Sequence, residues 1–292
     1  MTNAFWISKK KGSLPVLCRS ILEQTINNNN QSLDNVQLIR LNLLNITFID
    51  ECTFKNLTNL QLLDISENHL THFDVDLFSD LTSLTHLNLD SNNLTYLNET
   101  LFGNLTNLQY LNLSQNQLTY LPVGLLKGLY NLQYLSMSHN ELTFIYASLF
   151  LNLYSLVYLD FSSNSLYTLV NDIAAPIGSL NIPITNLSEI HLENNFFDVQ
   201  SQQIFTYVFS HIQNDKIFKV YLEGNSIYSE IANIQSLCGM NSNCLIVPDS
   251  ETTIIFSTTS KHIFFTFNTV AQKLKLSLFI KHHKILNRRN RK

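Results

Sequence analysis

The chain has 292 residues, of which 45% are hydrophobic and 14% charged, with only seven glycines and five prolines. That composition argues against a loop-rich or disordered chain, and the length suits one elongated domain or two compact ones. Residues 12–260 carry six Lys/Arg and 22 Asp/Glu (6 − 22 = −16), whereas residues 261–292 carry nine Lys/Arg and no acid, so the body repels nucleic acid and the tail is basic.

The sequence opens MTNAFWISKKKGSLPVLC. Its apolar run, AFWI, is followed by three lysines and falls short of the roughly 7–15 apolar residues of a secretory signal. Residues 1–35 read as an N-terminal segment and cap. Four cysteines, Cys18, Cys52, Cys238 and Cys244, sit in pairs near the two ends of the patterned region. None has zinc spacing, so no metal and no cofactor is expected. Their placement suits disulfides that close terminal caps, Cys18–Cys52 and Cys238–Cys244; four free thiols is the alternative.

From Val36 the chain repeats itself. VQLIRLNLLNITFI at Val36 is followed at 24-residue intervals by copies at Leu60, Leu84, Leu108, Leu132 and Leu156, then by LSEIHLENNFF at Leu187 and IFKVYLEGNSI at Ile217, after wider gaps of 31 and 30 residues. A fixed period of this length is the mark of a solenoid. In the LxxLxL core of each unit two leucines stand two residues apart, the period of a strand, so both face one way. One such strand cannot bury its face alone; stacked copies make a parallel sheet over a continuous core. The return path has its own apolar residues, Phe54, Phe78, Phe102, Leu126 and Phe150 at the nineteenth position and Leu57, Leu81, Leu105, Leu129 and Leu153 at the twenty-second. Bulkier returns than strands curve the array and leave the strands on the concave side.

These eight units resemble the leucine-rich repeat family, in its 24-residue class LxxLxLxxNxLxxLxxxxFxxLxx. The resemblance covers 36–230 and implies an α/β solenoid, a curved horseshoe with a parallel sheet on its concave face. A C-terminal cap at 231–250 and a basic, disordered tail at 251–292 follow. Asparagines recur at 68, 92, 116, 140, 164, 195 and 225, with Leu44 in the first copy. The chain turns out of the strand there, and an Asn side chain both donates to and accepts from backbone groups that the turn would orphan. Asn68, Asn92, Asn116, Asn140, Asn164, Asn195 and Asn225 are thus expected to form a structural ladder.

The two longer units need different returns. VQSQQIFTYVFSHIQ after Asn195 has apolar residues at helical spacing, predicting a helix of about four turns, and NDIAAPIGSLNIPITN at 171–186 reads as an irregular loop. The tail ends KHHKILNRRNRK at 281–292, a segment suited to weak contact with an anionic membrane. No window is apolar enough to span a membrane.

No phosphate loop, nucleophile elbow or zinc-protease motif is present, so no catalytic residue is expected. Binding remains. The third, fifth and seventh positions of each strand face out of the core. Tyr110, Tyr134 and Tyr158 form a column on three successive strands, and tyrosine is common at binding hot spots; a ladder that merely stabilises the sheet is the competing reading. Asp64, His86, Asn88, Asp90, Asn112, Ser136, Asp160, His191 and Glu193 line the same face and complete the candidate site. Its expected ligand is a protein or a glycan.

Sequons at Asn45, Asn56, Asn93, Asn98, Asn104 and Asn186 are candidate glycosylation sites, and Asn30 and Asn112 carry the motif as well. The repeat class is similar to extracellular members such as Toll-like receptor ectodomains, matrix proteoglycans and insect secreted immune proteins. It implies a secreted or surface recognition module in adhesion or innate immunity. A cytoplasmic scaffold or regulatory subunit is the alternative.

Overall fold

The computed structural model describes residues 4–6, 16–27, 32–170, 186–198, 218–229, 244–247, 254–255 and 264–265. The expected helix after Asn195, most of the 171–186 loop and the segment 281–292 lie outside them. No helix among the described residues is long and apolar enough to cross a membrane.

The strands are β1 (Ala4–Trp6), β2 (Val16–Leu17), β3 (Leu38–Arg40), β4 (Phe48–Ile49), β5 (Leu62–Asp64), β6 (His86–Asn88), β7 (Tyr110–Asn112), β8 (Tyr134–Ser136), β9 (Phe144–Tyr146), β10 (Tyr158–Asp160), β11 (Thr168–Val170), β12 (Glu189–His191), β13 (Phe218–Tyr221), β14 (Cys244–Val247), β15 (Ile254–Ile255) and β16 (Phe264–Phe265). Ten of them form one sheet in the order β1-β3-β5-β6-β7-β8-β10-β12-β13-β14, every neighbouring pair parallel. The repeats supply eight strands, and the sheet is extended at its two ends by β1 and β14. A pair of shorter ladders, β2–β4 and β9–β11, joins coils on a second side. Farther along the chain β15 pairs antiparallel with β16.

The core follows the leucine template. Leu108, Leu111, Leu113 and Leu118 are fully buried, as are their counterparts in neighbouring coils. In the returns, Phe54, Phe78 and Phe102 stack as a spine with centroids 6.4 and 6.2 Å apart. Each such buried side chain contributes about 1.5–3 kcal/mol by removal from water. Between strand and return the main chain must reverse within a few residues, and it does so by one left-handed residue at the eighth position of each coil. Leu43, Glu67, Ser91, Gln115, His139, Ser163 and Asn194 have φ between 53° and 61°, and Gly224 has 76°. For a residue with a Cβ this costs about 1–2 kcal/mol. Gly224 makes the same turn without a Cβ, and one added there would meet the Asn194 side chain.

The asparagine that follows answers this turn. Asn116 Nδ2 donates to the carbonyls of Leu113 and Ser114 in its own coil and of Leu89 in the coil before, and its Oδ1 accepts the Leu94 N–H at 3.0 Å. Asn68, Asn92, Asn140 and Asn164 repeat the pattern, and Asn195 and Asn225 continue it across the longer units. Asn68 also accepts from Leu44 and Ile46, so the first coil needs no asparagine of its own. A second ladder was not read from the sequence. Asn59, Asn107, Asn131 and Asn186, each just before a strand, donate to Asp34, Thr82, Thr106 and Tyr154 carbonyls of the preceding coil at 2.7–2.9 Å.

The N-terminal cap packs α1 (Arg19–Asn27) on the first coil, burying Leu22 and Ile26. The expected Cys18–Cys52 disulfide is not formed; both thiols are free. The Cys18 sulfur meets Ser20 Oγ at 3.2 Å and Cys52 is exposed. The cap is tied down by hydrogen bonds instead. Asp50 N–H and Thr53 Oγ1 donate to the Leu17 carbonyl, and Arg19 reaches the Thr53 and Lys55 carbonyls. At the other end Cys244 is disulfide-bonded, while Cys238 lies outside the described residues.

Candidate functional site: the open face of the sheet

Every second residue of a strand points away from the core, and parallel register sets equivalent positions beside each other. His86, Tyr110, Tyr134 and Tyr158 are therefore direct neighbours along β6, β7, β8 and β10. Their rings form a stack with centroid spacings of 5.8, 4.4 and 4.6 Å and interplanar angles of 21°, 10° and 3°. The column continues, but in another lane. Tyr158 is in register with Glu189, yet its ring meets His191, two residues further along β12, at 5.1 Å; His191 then stacks on Tyr221 at 4.2 Å and 6°. The lane vacated on β12 and β13 is taken by a Glu189–Lys219 ion pair at 3.0 Å. Six rings thus run across the face, and Tyr221 is the member that a position-by-position reading passed over.

Burial of the phenols raises all four tyrosines. Tyr134 is pushed up to about 12, with the neighbouring Tyr110 and Asp160 adding to burial. Tyr158 is pushed up further, by burial and then Asp160, and Tyr110 and Tyr221 are raised chiefly by burial. At neutral pH each hydroxyl is a neutral donor.

The polar lanes beside the rings are internally bonded. Asp64 Oδ1 accepts from the Ser66 N–H and hydroxyl and from Asn88. Asp90 accepts from the Ser91 and Ser114 hydroxyls, and Asn112 caps the Ser114 N–H and hydroxyl in its turn. Asp160 accepts from Ser162 and from Ser136. Ser136, expected on the binding face, is only 2% exposed and bonds within this network. Asp64, Asn88, Asp90, Asn112 and Asp160 stay half-buried, and His86 is exposed.

At the C-terminal end His191 is held between Tyr158 and Tyr221, with Nδ1 3.0 Å from Glu193 Oε1 and Nε2 3.8 Å from Glu189 Oε2. Its Nε2 and Glu193 Oε2 are buried without a hydrogen-bond partner. Burial disfavours charge on this imidazole, but the Glu193 hydrogen bond and the charges of Glu193, Asp160 and Glu189 outweigh it and raise the pKa. Among the described residues no cluster of His, Cys, Asp and Glu could hold a metal ion.

Of the sequon asparagines, Asn45, Asn56, Asn104 and Asn186 are exposed and Asn93 and Asn98 half-buried; all six lie off the tyrosine column. Asn104 and Asn186 use Nδ2 to reach the Ser79 and Tyr154 carbonyls, and Asn98 Oδ1 is engaged by Thr100. Other aromatics pair on the surface away from this face, Tyr96 with Tyr120 at 6.0 Å and Tyr130 with Tyr154 at 6.1 Å.

A family model described as leucine rich repeat matches residues 34–94, 83–142 and 115–166. Among solved structures, the chain is similar to a leucine-rich repeat protein of Leptospira interrogans, with 26% identity and a TM-score of 0.55 over 73% of this chain and 49% of that one. The chain therefore spans about half the length of that protein. No curated protein matches the sequence.

Proposed function

Since this chain belongs to the leucine-rich repeat family, over the repeats matched at 34–166, we propose that it is a binding module whose concave face docks a protein partner. Leucine-rich repeat domains generally mediate protein binding and are generally scaffolds rather than enzymes. The single observation that carries the reading is the six-ring column from His86 to Tyr221 on the open face of the sheet. A structural ladder alone would be satisfied by any stacking side chain; this one presents phenol donors at four of six places, the chemistry of interface anchors. The test is affinity capture with the full chain and its Tyr134→Ala variant. A partner retained by the wild type and lost by the variant, at matched folding, supports the reading; a partner retained equally by both overturns it.

We further place this recognition outside the cell, on the strength of the disulfide at Cys244, since such bonds persist in oxidising compartments. The exposed free thiol of Cys52 favours the second reading, a cytoplasmic scaffold. Peptide mapping of the native protein without reductant separates them: Cys244 recovered as a free thiol would leave the cytoplasmic reading standing.

A further inference from the structure

The stacking of the column bears on which class of ligand the face accepts. A sugar ring docks on an aromatic side chain by laying its C–H bonds over an open ring face. Here Tyr110, Tyr134 and Tyr158 lie 4.4 and 4.6 Å apart with planes within 10°, and His191 and Tyr221 lie 4.2 Å apart within 6°. Each inner face is covered by the next ring. A ligand meets ring edges and hydroxyls, and an aromatic edge is the positive part of the ring quadrupole. Between its two end rings such a surface offers donors to acceptors, and no flat platform.

Charge narrows the class further. The outward positions of the eight repeat units carry Asp64, Asp90, Asp160, Glu189, Glu193 and Glu223 against Arg40 and Lys219. A second copy of the chain would bring an equally acidic body, −16 over residues 12–260, against this face. We propose that the ligand is an extended protein segment carrying basic side chains. Its backbone carbonyls accept from the tyrosine hydroxyls, and its Lys or Arg side chains meet the flanking carboxylates. The five strands from β7 to β13 that bear Tyr110 to Tyr221 span about 19 Å at roughly 4.8 Å per strand, room for about six extended residues. This inference rests on the concave-face reading above and goes beyond it by naming the ligand's chemistry.

The experiment titrates the full chain, by calorimetry at two salt concentrations, with a Ser-Lys repeat peptide, its Ser-Gln counterpart, chitohexaose and maltohexaose. The Ser-Lys peptide is expected to bind at least about tenfold more tightly than Ser-Gln, with affinity falling as salt rises. Tyr134→Ala is expected to lower that affinity at least about tenfold, and Tyr134→Phe, which keeps the stack and loses the hydroxyl, by a smaller factor. Oligosaccharide binding that Tyr134→Ala abolishes, or equal binding of both peptides, overturns the basic-segment proposal and leaves the concave-face reading intact. Failure of the Ser-Lys peptide to bind also overturns the proposal alone. Ser-Lys binding indifferent to Tyr134→Ala would be unspecific charge attraction and overturns the proposal alone; the concave-face reading falls only if the captured partner is retained by Tyr134→Ala.

Discussion

Tyr158 is paired along the sheet with Glu189 but packs its ring on His191, 5.1 Å away, so the aromatic column changes lane at the first long repeat. The shift keeps six rings continuous where the third-position residues become Glu189 and Lys219. It also surrounds one imidazole with carboxylates.

Replacing His191 with Gln should therefore destabilise the protein most in acid. The folded pKa of His191 is raised above its ordinary 6.5. A raised pKa contributes stability that is fully present below the unfolded value and lost as pH rises through the folded one. The melting-temperature gap between wild type and His191→Gln should be widest below about pH 6.5 and narrow above it. A gap independent of pH would contradict the ion-pair role.

The tyrosine column makes an alkaline counterpart. Tyr134 is pushed up to about 12 and Tyr158 beyond that. The stability held in these neutral phenols is complete below the ordinary value of about 10 and declines as pH rises past it. Ultraviolet titration should show late tyrosinate formation for the column, and Tyr134→Phe should soften the stability loss above about pH 10. Titration of all tyrosines together near 10 would count against the stacked, half-buried phenols.

Tyr134→Ala removes two ring stacks, each worth about 0.5–1.5 kcal/mol, and should lower the melting temperature. At a hot spot it should also weaken the partner by about 2 kcal/mol. Affinity unchanged in a correctly folded variant would leave the column as a sheet-stabilising ladder only.

Asn116→Leu takes the partner from the buried Leu94 N–H and leaves the Leu89 carbonyl with Asn92 alone, at about 1–3 kcal/mol for the orphaned N–H. Asn116→Asp keeps an acceptor for Leu94 and loses the donor to three carbonyls. Chemical denaturation should place both variants below wild type; a wild-type midpoint for Asn116→Leu would refute the ladder.

Because Cys18 and Cys52 are not bridged, Cys52→Ser should change stability by less than about 0.5 kcal/mol, against about 2–5 kcal/mol for a lost native disulfide. Thermal melts of the variant, with and without reductant, check this.

Much of this was legible in the sequence because solenoid physics is local. Leucines two apart specify a strand, and a residue such as Asn116 in an otherwise apolar template signals a buried turn. The burial of Ser136 was not legible, because its fifth position faces outward but its short side chain lies between Asn112 and Asp160 and bonds to Ser138 and Asp160. Tyr221 is not legible at a constant position of the repeat, because the rings change lane between Tyr158 and His191. The left-handed turns left no mark, since residues as unlike as Leu43, Glu67 and His139 adopt the same φ; Gly224 alone hinted at them.

Each coil carries its own plan in its residues: its period, its buried leucines, its asparagine ladder and the side of the strand left open. Those follow from side-chain periodicity and hydrogen-bond capacity, which each repeat carries within itself. What stacked coils do to one another arises from their packing. That packing set Asn116 on the N–H of Leu94 one coil away, stepped the rings from Tyr158 to His191, and left Cys18 facing Ser20 instead of Cys52. Contacts between coils depend on register and side-chain direction, and these are fixed only when neighbouring coils pack.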